Sequence, residues 1–97
     1  MTEYQQIKAF KIAKHYGLQK QKFQALQEFN ELAAVLLRRK DQIHNKAEHR
    51  DHLIDEIADC YVMLKQLETL YNLDTHDISD RITAKLNRQL ERIAQEE

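Results

Sequence analysis

Apolar positions recur at intervals of three and four in four separate stretches, the pattern of amphipathic helices. The first stretch runs from about Glu3 to Tyr16, with Tyr4, Ile7 and Phe10 at helical spacing and Gly17 as its C-terminal stop. The second runs from about Gln19 to Arg39, where Phe23, Leu26, Phe29, Ala33 and Leu36 trace one apolar face. Asp41 to Asn45 is polar and reads as a connection. The third and longest runs from about Lys46 to Tyr71. Asn45 is its N-cap, Glu48 takes the capping-box position, and Leu53, Ile57, Cys60, Leu64, Leu67 and Tyr71 form its stripe. A fourth starts near Asp74 or Thr75 and carries Ile78, Ile82, Leu86, Leu90 and Ile93 into a polar tail. Short connections between the later helices favour antiparallel neighbours. The expected fold is therefore all-α, a single domain over residues 1–97 built as an antiparallel bundle of about four helices.

Composition narrows this further. One glycine and no proline leave too few turn residues for an all-β or α/β fold. A net charge of −1 does not suit a basic nucleic-acid module, despite a local group of Lys8, Lys11, Lys14 and Lys20. Cys60 is the single cysteine, so no intrachain disulfide can form. The longest apolar run, Leu32 to Leu37, is six residues, far short of the roughly 18–20 a membrane span needs. No basic segment followed by an apolar one opens the chain, so a cytoplasmic protein without a signal peptide is expected. A domain this small buries only about 60–65% of its unfolded surface, which favours self-association.

The residues that break the pattern are acids. At about 100° per residue, Glu56 falls inside the apolar stripe of the third helix, between Met63 on one side and Cys60 and Leu67 on the other. Asp59 lies one turn on, at the edge of the stripe. In the second helix Glu28 projects between Val35 and Leu32, with Glu31 one turn on. An i, i+3 acid pair on a helix is ordinarily a solvated face. Two such pairs bordering interior surfaces of antiparallel neighbours would instead bring four carboxylates together. They would then have to take up protons, pair with Lys or Arg, or bind cations. Oxygen-only ligands suit hard divalent ions such as Mg²⁺ or Mn²⁺.

Gln27-Glu28-Phe29-Asn30-Glu31-Leu32, followed by Asp55-Glu56-Ile57-Ala58-Asp59-Cys60-Tyr61-Val62-Met63-Leu64, resembles the MazG-type all-α nucleoside triphosphate pyrophosphohydrolases. The hallmark of that family is an E-x-x-E pair, a variable spacer, and E-x-x-D. The 24 residues of 32–55 lie within the spacer lengths the family allows. The similarity continues through Lys85-Leu86-Asn87-Arg88 to Arg92, like the basic helix that follows in these enzymes, and covers about Gln21 to Arg92. By this resemblance Glu28, Glu31, Glu56 and Asp59 are the catalytic residues and hold Mg²⁺, with Mn²⁺ as a substitute. Lys85, Arg88 and Asn87 contact the substrate phosphates. The implied reaction cleaves a ribo- or deoxyribonucleoside triphosphate between the α and β phosphates, releasing the monophosphate and pyrophosphate. The small domain and its apolar faces favour a homodimer or homotetramer, and charge balance and apolar run length argue against a nucleic acid or membrane partner.

Departures from the family bear on the substrate. Gln27 stands where many relatives carry an acid, and there is no tryptophan. Base stacking would fall to Phe10, Tyr16 or Phe23, which at helical spacing are more often core. His49 and His52, spaced i, i+3 near His44, could share a metal face, but no third ligand is near in sequence and the segment reads as exposed surface. Two rivals stand beside the enzyme: a catalytically silent helical oligomerisation module of the same fold, and a di-iron carboxylate bundle. The latter needs Glu-x-x-His pairs, and Glu31 and Asp59 occupy the places where His would be required.

Overall fold

The computed structural model describes residues 1–97 and contains four α-helices and no strand. These are α1 (Glu3–Tyr16), α2 (Leu18–Leu36), α3 (Lys46–Leu70) and α4 (Thr75–Glu96), with a single 3₁₀ turn at Lys40–Gln42 in the α2–α3 connection. Each start has a local cause. Thr2 accepts from the Gln5 N–H at 3.1 Å while the Gln5 side chain accepts from Thr2 N–H at 2.8 Å, a complete capping box. Asn45 accepts from Glu48 N–H at 3.0 Å, and Asp74 from His76 N–H at 2.8 Å. Gly17 ends α1 at φ +83°, its N–H bonded to the Ala13 carbonyl, and α2 begins at the next residue.

Helices α2 and α3 form the main seam, and α1 packs mostly against α3. Three contacts show that α2 and α3 are antiparallel. Gln21 meets Gln66 near one end, Cys60 meets the Glu28 carbonyl in the middle, and Arg38 meets His52 at the other. The buried apolar residues are small for a core: Ala9, Ala13, Ala25, Val35, Cys60 and Met63. The short side chains of α1 and α2 let the backbones come close, and Met63 fills the irregular space left.

This inverts part of the periodicity reading. Phe23, Leu26 and Leu36 face outward, while Gln21, Ala25 and Val35 are buried. In α3, Ile57 and Leu64 are exposed and Gln66 is buried. Phe10 and Tyr16, expected in the core, lie on the surface with Tyr4. Each of those three rings carries a lysine over its face: Lys14 over Phe10, Lys20 over Tyr16 and Lys8 over Tyr4, at 5.5, 4.4 and 4.6 Å from the ring centres. The lysine stems shield part of the apolar surface while their charges stay in water.

Helix α4 is set apart. Lys65 ties α3 to its first turn by donating to the Thr75 hydroxyl, which in turn donates to Glu68. Beyond Ile78 every residue of α4 is exposed, including Ile82, Leu86, Leu90 and Ile93. Four helices form as the pattern predicts, but three of them pack and the fourth projects with its apolar stripe uncovered. No helix is long and apolar enough to cross a membrane.

Candidate metal centre

The middle of the α2–α3 seam gathers acid. Glu28 and Glu31 sit one turn apart on α2, and Glu56 faces them from α3. One carboxylate oxygen from each of Glu28, Glu31 and Glu56 lies within 4.8 Å of the other two. Glu56 is the deepest of the three, at 8% exposed; Glu28 is half-buried and Glu31 exposed. Asp59 is exposed and lies outside this tight trio, yet it acts on Glu28 both through its charge and through its side chain.

Neighbours satisfy the acids incompletely. Gln24 donates to Glu28 Oε1 at 2.8 Å, and Gln27 donates to Glu31 at 3.4 Å. Glu28 Oε2 and Glu56 Oε2 are buried with no hydrogen-bond partner. Burial holds the Glu28 carboxyl above the usual carboxylate range, and the Asp59 and Glu31 charges push it the same way against the Gln24 bond. Behind the acids, Cys60 is buried with its thiol 3.8 Å from the Glu28 carbonyl. Burial raises that thiol's pKa, and the Glu28, Glu56 and Asp59 carboxylates add to the effect.

The donor set fits a hard divalent cation. All three atoms are carboxylate oxygens on two rigid helices, and the two orphaned oxygens need a positive partner or a proton. No lysine or arginine supplies that charge: neither ion pair involving Lys or Arg reaches Glu28, Glu31 or Glu56. Lys85, Asn87 and Arg88 lie on the exposed face of α4 and make no side-chain hydrogen bond or ion pair. Within a single chain they are not gathered to the acids.

One neighbour was not anticipated as part of the site. His52 Nε2 lies 3.3 Å from Glu56 Oε1, one turn before it on α3. The His52–Glu56 spacing of i, i+4 was the available signal. His52 and Arg38 also line an open polar cleft of about 470 Å³ with His44, His49 and Asp55. His49 is half-buried, and its Nδ1 has no partner. Comparison with protein-family models, curated proteins and solved structures finds no match to this chain.

Proposed function

We propose that the chain is a Mg²⁺-dependent nucleoside triphosphate pyrophosphohydrolase of MazG type, acting on the cytoplasmic nucleotide pool. The observation that carries this reading is the convergence of Glu28, Glu31 and Glu56 from two helices, with buried carboxylate oxygens left without a partner. The E-x-x-E and E-x-x-D spacing around them supports it. Glu28, Glu31 and Glu56 would hold the ion, and Asp59 adds negative charge at the rim that draws a cation in. An ion held there would supply the positive charge that a triphosphate needs beside carboxylates and would lower the pKa of a bound water for hydrolysis between the α and β phosphates. Water and the triphosphate give the monophosphate and pyrophosphate.

On this reading the chain's own residues would carry the other tasks. Two rigid helices hold the carboxylates in place, so little reorganisation accompanies substrate binding. Gln24 and Gln27 each donate one amide N–H to an acid, Glu28 and Glu31 respectively. Lys85 and Arg88, with Asn87, would offset charge on the departing pyrophosphate. This requires α4 to close over the acids or to come from a second copy. The uncovered stripe of α4 and the exposed Phe23, Leu26 and Leu36 of α2 favour a homodimer or homotetramer.

The second reading, a silent oligomerisation module, is favoured by the distance in packing between α4's basic residues and the rest of the chain. One assay separates the two: ribo- and deoxyribonucleoside triphosphates are incubated with the protein and Mg²⁺, and pyrophosphate is measured. The enzyme releases pyrophosphate and Glu56→Gln abolishes it. No release from any triphosphate leaves the module.

A further inference from the structure

Between the acids and the polar cleft stands a short chain of contacts. Arg38, just past the end of α2, places its guanidinium 3.2 Å from His52 Nδ1. His52 Nε2 lies 3.3 Å from Glu56 Oε1. An arginine side chain has donors and no acceptor, so Nδ1 in this contact is the accepting nitrogen. The proton of the neutral ring is then on Nε2 and faces the carboxylate. One oxygen of Glu56 is thereby engaged, and the other, Oε2, is buried and free of any partner. Half of the His52 side chain is open to solvent, so burial alone does not hold the ring there.

We infer that His52, its tautomer set by Arg38, is a positioning residue for Glu56: it holds Oε1 so that the rest of the carboxylate is presented to the cation. This rests on the metal reading of the acid trio. Metal ligands are commonly held by such outer partners, and losing one typically weakens metal affinity by about 10–100-fold. The arrangement also ties the site to both sides of the α2–α3 turn, since Arg38 precedes the turn and His52 follows it.

Titration of the whole protein with Mn²⁺, with free ion followed by electron paramagnetic resonance, tests this. Wild type is compared with Glu56→Gln, His52→Leu, His52→Gln and Arg38→Leu. Glu56→Gln loses the site. His52→Leu weakens Mn²⁺ binding by about 10–100-fold with its helical circular dichroism intact. His52→Gln, which keeps an N–H donor, binds more tightly than His52→Leu, and Arg38→Leu loses less than His52→Leu does. Pulsed spectra of the Mn²⁺-loaded wild type show no directly bonded nitrogen. Wild-type affinity in His52→Leu, alongside lost affinity in Glu56→Gln, overturns the inference and leaves the metal site standing. A directly bonded histidine nitrogen also overturns it, since His52 would then be a ligand. If wild type takes up no Mn²⁺, the metal reading falls and the inference falls with it.

Discussion

Two pairs of polar side chains meet in the same α2–α3 seam, on opposite terms. Toward one end, Gln21 donates to Gln66 at 2.6 Å, and neither residue leaves a fully buried side-chain atom without a partner. In the middle, Glu28 and Glu56 bring like charges together and each leaves an oxygen without a partner. Two amides can satisfy one another, because each has both donors and acceptors. Two carboxylates cannot, because an ionised carboxylate only accepts. The amide pair shares one hydrogen bond across the seam and leaves no fully buried side-chain atom without a partner. The carboxylate pair leaves two buried oxygens that call for a proton or a cation.

The largest effect expected from breaking this contrast is on chemistry. Glu56→Gln turns the carboxylate pair into something closer to the amide pair. Pyrophosphate release should fall by a factor of about 10²–10³ or more, the scale of losing one preorganised electrostatic group. Metal-free stability should not fall, because the variant removes a buried charge without opening a cavity. Steady-state assays and thermal melts read both, and full activity in this variant would take Glu56 out of the mechanism.

Cation binding should come next in size. An ion that binds only the folded chain stabilises it by about 2.7 kcal/mol at a hundred times its dissociation constant. Melts with Mg²⁺ or Mn²⁺ should show that rise in wild type and lose it in Glu28→Gln. Gln66→Leu should keep the rise, since the amide pair is outside the site. Equal shifts in all three proteins would mean that the ion binds elsewhere.

Breaking the amide pair should cost stability and leave the chemistry alone. Gln66→Leu strands the buried Gln21 amide, at a cost of about 1–3 kcal/mol. Gln21→Leu together with Gln66→Leu should recover much of that, because nothing polar is then left unpaired. Denaturant unfolding of the two single variants and the double variant measures the coupling. Strict additivity would show that the two amides are not coupled across the seam.

The acid site was legible in the sequence because Glu28 and Glu56 interrupt apolar stripes, and such interruptions stand out against a helical period. Helix ends were legible for a similar reason: Gly17, Asn45 and Asp74 act within a turn of their own positions. Which face turns inward was harder to read. Periodicity ranks residues by polarity, but close packing of α1 and α2 against their neighbours selects for size. Ala9, Ala13 and Ala25 therefore went inside while Phe10 and Phe23 stayed out. The Arg38–His52 contact joins residues fourteen apart across a turn, which no local spacing encodes. The projection of α4 was equally hidden, since its regular stripe reads the same whether or not a partner covers it.

The smallest expected effect is in pH, and it separates the two pairs most directly. Glu28 is held above the usual carboxylate range chiefly by burial, then by Asp59 and Glu31. In the unfolded chain it titrates at the ordinary value, so between the two values the folded state binds more protons. Stability rises with pH only where the unfolded state binds more, so here it must fall. The contribution is fully present below the ordinary glutamate range and is lost as pH rises through the raised folded value. Other carboxylates add slopes of their own, and the difference between wild type and Glu28→Gln isolates this one. That difference should appear in melts taken upward from acid pH without metal. It should shrink or reverse with Mn²⁺, because a cation competes with the proton for the same oxygens. The Gln21–Gln66 pair has nothing to titrate, so Gln66→Leu should shift the whole pH curve without changing its slope. A wild-type slope that matches Glu28→Gln would mean that Glu28 is as well solvated in the fold as out of it, and the contrast between the two pairs would be lost.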